Sequence, residues 1–293
     1  MRLRIPNYFA WHHRLRLWNM ALETDGYISP DIAKWVTKNR AEHEPWFGLA
    51  VRLNRVSQRH MLAAVIPDSD NRSLLVLLFF ARALSSFQGA ILLAERGMTS
   101  EAQTLARSCL ETSFYIGAVA NDVEFIHHLV RSDTAHKKKV ASWLTSRDAA
   151  VTELSHDQIE KVKGFLDNLK SSSVSASPIV MKRAAEKAQL ADIYETVYRD
   201  LSDRAAHPSL NSLLRHIRLD ASGNVIGLTF GPDANDIEET ILAMNTAQFC
   251  AVSVMARLFP CDECNPEIDA CWETHKELIS RRTIEVEAGL VTP

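Results

Sequence analysis

The stretch from Ser73 to Glu95, SLLVLLFFARALSSFQGAILLAE, is apolar on nearly every turn, and Gly97 follows it closely. Apolar residues recurring at three and four over so long a run make a helix. Arg82, Ser85, Ser86 and Gln88 interrupt the run, so it reads as a buried core helix and not as a membrane span, which needs about 20 predominantly apolar residues. Gly97 suits the left-handed position just past a helix end. Thr99 or Ser100 is then placed to cap a second helix running to about Ala120. Two long helices joined by so few residues must fold back on each other. Residues 73–120 are therefore expected to form an antiparallel helical hairpin at the centre of the core.

The rest of the chain is read around that hairpin. An amphipathic segment covers 8–24. Ser29-Pro30 opens a helical segment that runs toward Ile66 and breaks at Pro45, and PDSDNR at 67–72 is a loop. Helices are expected at 122–147, 156–170, 179–187, 190–206, 233–259 and 266–289, with SSSVSASP at 171–178 as a polar loop. LLRHIRLDASGNVIGLTFGPD alternates about the turn residues Ser222-Gly223-Asn224, which predicts a β-hairpin of 214–219 with 225–230. The expected architecture is all-α: a multi-helix bundle with one small β-hairpin, in a single domain spanning 1–293. Within it, 1–70 is read as an N-terminal helical extension, 73–259 as the core bundle and 260–293 as a C-terminal helix.

Composition narrows the function classes. A formal net charge of −3 is not the footprint of a dedicated nucleic-acid binder, whose domain is usually strongly basic. Five cysteines and an N-terminus without an apolar signal region imply free thiols in the cytoplasm, with no membrane partner. Ten glycines, no glycine-rich phosphate loop and no β/α alternation argue against nucleotide-binding α/β folds.

Several polar groups are candidates for a site. In YRDLSDRAAHPSL, His207 stands before Pro208, where a helix should stop. The helix dipole there favours its charged form, and Asp200 and Asp203 fall on the same helical face. Arg107 and Glu111 are i and i+4 on an otherwise apolar helix, where a charged pair needs further partners or a ligand. Gln103, Arg107, Ser108 and Glu111 form one narrow polar stripe. Cys261, Cys264, Cys271 and His275 have the residue types of a zinc site, with Cys271 and His275 one turn apart, although the spacing is tight. The bland reading of that set is reduced cysteines at a helix start. Arg55 with His60 and Arg131 with His136 match an Arg-x4-His ribonuclease pattern, at a frequency that chance supplies. His136-Lys137-Lys138-Lys139 and the arginine-aromatic N-terminus read as a solvated helix face and a packing or dimer element.

Arg107-Ser108-x-x-Glu111 together with Tyr198-x-x-Leu201-Ser202 and His207-Pro208-Ser209 resembles a bacterial all-helical family of unknown function. The similarity covers about 75–260. It implies a fold and a residue set, with Arg107, Glu111, Ser202 and His207 in one cluster, and no reaction. Two functions follow as expectations. The first is a helical binding or regulatory module, dimeric, with a protein partner and without a cofactor. The alternative is a metal-independent HEPN-like ribonuclease or phosphate-transfer enzyme of phage defence or a toxin system. In that reading His207 is general acid or base, Arg107 binds phosphate, Glu111 orients Arg107, and RNA becomes a partner.

Overall fold

The computed structural model describes residues 24–68, 70–146, 155–171, 177–206, 210–214, 216–220, 222–228 and 230–287. The helices are α1 (Ile32–Glu42), α2 (Glu44–Ala63), α3 (Asn71–Glu95), α4 (Thr99–Asn121), α5 (Phe125–Thr145), α6 (His156–Ser171) and α7 (Met181–Lys187). They continue with a composite helix α8 over 191–206, α9 (Leu210–Leu214), α10 (Ile237–Leu258) and α11 (Asn265–Glu287). Strands β1 (Ile217–Leu219) and β2 (Val225–Leu228) pair antiparallel. The fold is an all-α bundle carrying a small hairpin, as the periodicity implies. The amphipathic segment expected at 8–24 falls almost wholly outside the described residues, as does most of the polar loop at 171–178.

Both ends of α3 have a chemical cause. The Asp70 carboxylate accepts from the backbone N–H groups of Arg72 and Ser73, each at 3.1 Å, so the helix starts inside the expected loop. The Ser73 hydroxyl and N–H, then the Arg72 N–H, hold that carboxyl below the usual range. At the far end Gly97 has φ +71°, and the N–H groups of Gly97 and Met98 reach the carbonyls of Ala94 and Leu93, both at 3.0 Å. This is a Schellman stop. It corrects the expected cap. The chain re-enters a helix at once, Thr99 is already the first residue of α4, and Met98 before it makes no side-chain cap.

A Cβ added at Gly89 would stand 2.7 Å from Leu105 Cδ1. Gly89 and Leu105 are equidistant in sequence from Gly97, as an antiparallel hairpin requires. α10 lies parallel to α4, tied by Gln103 to Thr240 at 3.0 Å and by the Ser113 hydroxyl to the Ala247 carbonyl at 2.9 Å. Gln248 of α10 donates to Ser57 of α2 at 3.0 Å, which brings α2 into the same layer. α11 runs antiparallel to α10, with Arg282 paired to Glu238 and Glu239 and His275 against Thr246. The core reaches beyond 73–259 at both ends: Trp46, Phe47 and Leu53 of α2 and Ile268 and Cys271 of α11 belong to the same buried cluster. By length and composition α3 and α10 could each cross a membrane. In the bundle they supply Phe80, Phe87, Ile241 and Met244 to the core.

The connection from α7 to α8 is set by close approach. Gln189 closes α7 in the left-handed region at φ +62°, with Leu190 N–H on the Ala185 carbonyl at 2.9 Å. Ala188 then lies so near α4 that a Cβ at Gly117 would meet Ala188 Cβ at 2.6 Å. In the hairpin, Asp220 accepts from the N–H groups of Ser222 and Asn224, each at 2.9 Å, and Gly223 takes φ +78°. The pairing slips by a bulge between Arg218 and Leu219. The strands are shorter than expected from the alternation.

Candidate functional site

The sequence predicts a regular helix at 190–206. The structure has instead an alternation: Ala191–Ile193 and Arg199–Leu201 are α-helical, while Tyr194–Tyr198 and Ser202–Ala206 are π-helical. π turns carry an extra residue per turn and are concentrated at functional positions. Tyr194, Tyr198 and Ser202 share one face here. The Tyr194 and Tyr198 rings stack with centroids 5.0 Å apart, and the Ser202 hydroxyl donates to the Tyr198 carbonyl at 2.8 Å.

That face meets Arg107 on α4. Arg107 Nε donates to Ser202 Oγ at 2.9 Å, and Nη2 donates to the Tyr198 hydroxyl at 2.8 Å. Nη2 also pairs with Glu111 Oε1 at 2.9 Å. The Tyr198 hydroxyl in turn donates to Glu111 Oε1 at 2.8 Å, closing a ring of three side chains. The guanidinium carbon lies 4.9 Å from the centroid of the Tyr198 ring, whose edge contact to Phe114 is at 5.7 Å. One turn earlier on α4, the Thr104 hydroxyl donates to the Ala205 carbonyl at 3.2 Å. Burial first, and then the hydrogen bond to Glu111, push the Tyr198 phenol above its ordinary range. Tyr198 therefore stays a neutral donor beside an ionised pair.

The structure thus brings Arg107, Glu111 and Ser202 together. His207 lies outside the described residues. Asp200, expected on its face, is paired with Arg204 at 2.8 Å. The polar stripe on α4 divides: Arg107 and Glu111 face α8, whereas Gln103 is buried against Thr240 of α10.

Cys261 and Cys264 lie against each other, Cys271 and His275 have other neighbours, and among the described residues no three His, Cys, Asp or Glu side chains gather as ligands. Cys271 donates to Glu267 at 3.8 Å, His275 Nε2 meets Thr246, and the His275 ring packs between Phe249 and Trp272. Burial raises the Cys264 and Cys271 thiols to about 11, so both stay protonated at neutral pH. Arg55 is exposed while His60, five residues on, is fully buried, so that pair does not share a surface. Lys137 of the basic run pairs with Asp133 at 2.6 Å on an exposed face of α5.

Tyr198 enters the sequence motif without a role of its own, and its hydroxyl proves to be the link between Arg107 and Glu111. The signal was present: a tyrosine four residues before Ser202, in the same quoted motif, has a polar end that needs a partner when buried.

A family model described as a family of unknown function (DUF5677) matches residues 73–225, more than half of the chain. The chain belongs to this family. The matched span runs from the start of α3 into β2 and includes Arg107, Glu111, Tyr198, Ser202 and His207. DUF5677 thus covers the helical hairpin and α8, while α2, α10 and α11 complete the core from outside the match. The match ends well before residue 260, the end expected from the motifs. No curated protein and no solved structure gives a significant match to the chain.

Proposed function

We propose that the chain is a helical binding or regulatory module that works as a homodimer in the cytoplasm, with the Arg107 network serving as a joint that fixes α8 on α4. The observation carrying this reading is the commitment of the guanidinium. Its Nε and Nη2 donors go to Ser202, Tyr198 and Glu111 inside the protein. A group that captures substrate keeps its donors aimed at an open cleft.

The surface offered to a partner lies on α3. Leu74, Leu78 and Leu92 share its outer face and are 43%, 57% and 54% exposed. Leu62 and Val65, near the end of α2, are exposed as well. An exposed apolar patch of this kind is where proteins associate, and a second copy supplies the same face in return. Light scattering of the purified chain at micromolar concentration is expected to give a dimer, and Leu78→Glu a folded monomer. A monomeric wild type would remove the dimer from this reading.

One observation favours the nuclease reading as a second choice. The Arg107 and Glu111 side chains keep 21% and 27% of their surface exposed, beside the helix that leads into His207. Incubation of wild type and His207→Ala with single-stranded RNA separates the two. Cleavage lost in the variant, with the thermal melt unchanged, establishes the nuclease. No cleavage by either protein leaves the joint.

A further inference from the structure

On the side of the bundle formed by α2 and α11, the surface dips into a groove of about 510 Å³ lined by Arg52, Asn54, Arg55, Gln58, Arg59 and Glu267. Arg52, Arg55 and Arg59 recur at i, i+3 and i+7, so their long side chains rise from one face of α2. Arg52 is already engaged: its Nε and Nη2 donate to Glu267 Oε1 at 3.2 and 3.1 Å. Arg55 and Arg59 are exposed, and among the described residues neither has a carboxylate at ion-pairing distance.

The groove floor is donor-rich for a second reason. Gln88 of α3 donates its Nε2 to Asn54 Oδ1 at 2.9 Å and to Gln58 Oε1 at 3.3 Å. Those contacts occupy the carbonyl ends of both amides and leave their NH₂ ends as unused donors. Two free guanidinium groups and two amide NH₂ groups therefore converge on one concavity, and its single carboxylate is neutralised by Arg52. The long helix α11 starts at Asn265 beside it, and the positive end of its dipole adds to the field. All this stands on a chain whose formal net charge is −3, so the groove is a local concentration of positive charge.

We infer that this groove binds a small phosphate-bearing ligand of nucleotide size. Phosphate chemistry follows from the donors. A phosphoryl group offers three oxygens and more than one charge, which suits two planar guanidinium forks and two amides better than a single carboxylate does. Nucleotide size follows from the volume, which lies in the range of small-molecule sites of roughly 300–1,000 Å³ and exceeds the needs of one inorganic phosphate. The flat guanidinium groups and their aliphatic stems also offer a surface on which a base can stack. The inference stands on this groove alone and does not depend on the Arg107 joint or on the dimer.

The test is calorimetric titration of the full chain with inorganic phosphate, inorganic pyrophosphate, adenosine diphosphate and a single-stranded RNA 12-mer. Wild type is compared with Arg55→Ala/Arg59→Ala and, as a milder change, Arg59→Gln. Pyrophosphate and adenosine diphosphate are expected to bind more tightly than phosphate, with affinity falling as salt rises. The double variant should weaken both by at least about tenfold, as loss of two charge-assisted contacts implies, with an unchanged melt because both side chains are exposed. Arg59→Gln should fall between the two. Absence of binding by pyrophosphate and the nucleotide overturns the inference, and so does binding that both variants retain in full. Binding of the RNA alone also overturns it, since the surface would then serve a nucleic-acid backbone.

Discussion

Arg107 sits where its removal is felt by three neighbours at once. In Arg107→Ala, Glu111 loses its countercharge, and Ser202 and Tyr198 lose the donor that each accepts from. The side chains are only partly shielded from water, so the cost is expected at about 2 kcal/mol, below that of a fully buried pair. Tyr198→Phe removes one hydroxyl that both accepts and donates, at a cost of about 1 kcal/mol. Because both changes break the same ring, the double variant should lose less than the two losses added together. Chemical denaturation of the four proteins measures this, and strictly additive losses would mean that Tyr198 and Arg107 act separately. Arg107→Lys should recover only part of the loss, since an ammonium cannot reproduce the planar fork that spans Ser202 and Tyr198. The membership of this cluster was partly legible in the sequence. Arg107 and Glu111 were visible as an i, i+4 pair on an apolar helix, and a buried pair of that kind demands further partners. Ser202 was joined to them only through the family motif, because a contact between helices so far apart in sequence leaves no periodic trace.

Among the elements, α8 differs most from its sequence expectation. Its apolar spacing reads as one regular helix, and the π turns arise from how Tyr194, Tyr198 and Ser202 must register against α4, which no local propensity encodes. The helix starts and stops that rest on one residue were legible: Pro45 opening α2, Gly97 closing α3 and Gly223 turning the hairpin. The misreading at the start of α4 came where no side chain supplies the cap: Met98 precedes Thr99 without a capping hydrogen bond. The placement of α8 depends on the α7 turn, and two substitutions address it. Gly117→Ala puts a methyl group 2.6 Å from Ala188 Cβ and 3.1 Å from its Cα, at a place where backbone has to move. The expected loss is about 1–3 kcal/mol in thermal or chemical unfolding. Gln189→Gly relieves a left-handed non-glycine residue at φ +62° and is expected to raise the melting temperature or leave it level, since the relief of about 1 kcal/mol is offset by added freedom in the unfolded chain. A clear drop in the melt for Gln189→Gly would show that the glutamine side chain, and not its backbone conformation, matters at this turn.

At the scale of the whole molecule, the bundle encloses two histidines that it keeps neutral. His275 on α11 is 1% exposed, and burial lowers its pKa from 6.5 to about 4. His60 on α2 is fully buried and also shifted down, chiefly by burial. In the unfolded chain a histidine takes up a proton as the pH falls through 6.5, while folded His275 stays neutral until about pH 4. The unfolded state therefore binds more protons across that window, and stability falls as pH falls. The contribution is complete above pH 6.5, declines between 6.5 and about 4, and is flat below. At about 1.4 kcal/mol per unit, His275 alone should cost about 2 kcal/mol between pH 7 and pH 5. His275→Gln keeps a polar group near Thr246 and cannot take up a proton in this range, so its stability should depend less on pH by that amount. Urea unfolding of both proteins at pH 7 and pH 5 reads the difference directly, because the carboxylates elsewhere contribute equally to each. Parallel pH dependences would mean that folded His275 takes up a proton as readily as the histidine of the unfolded chain does.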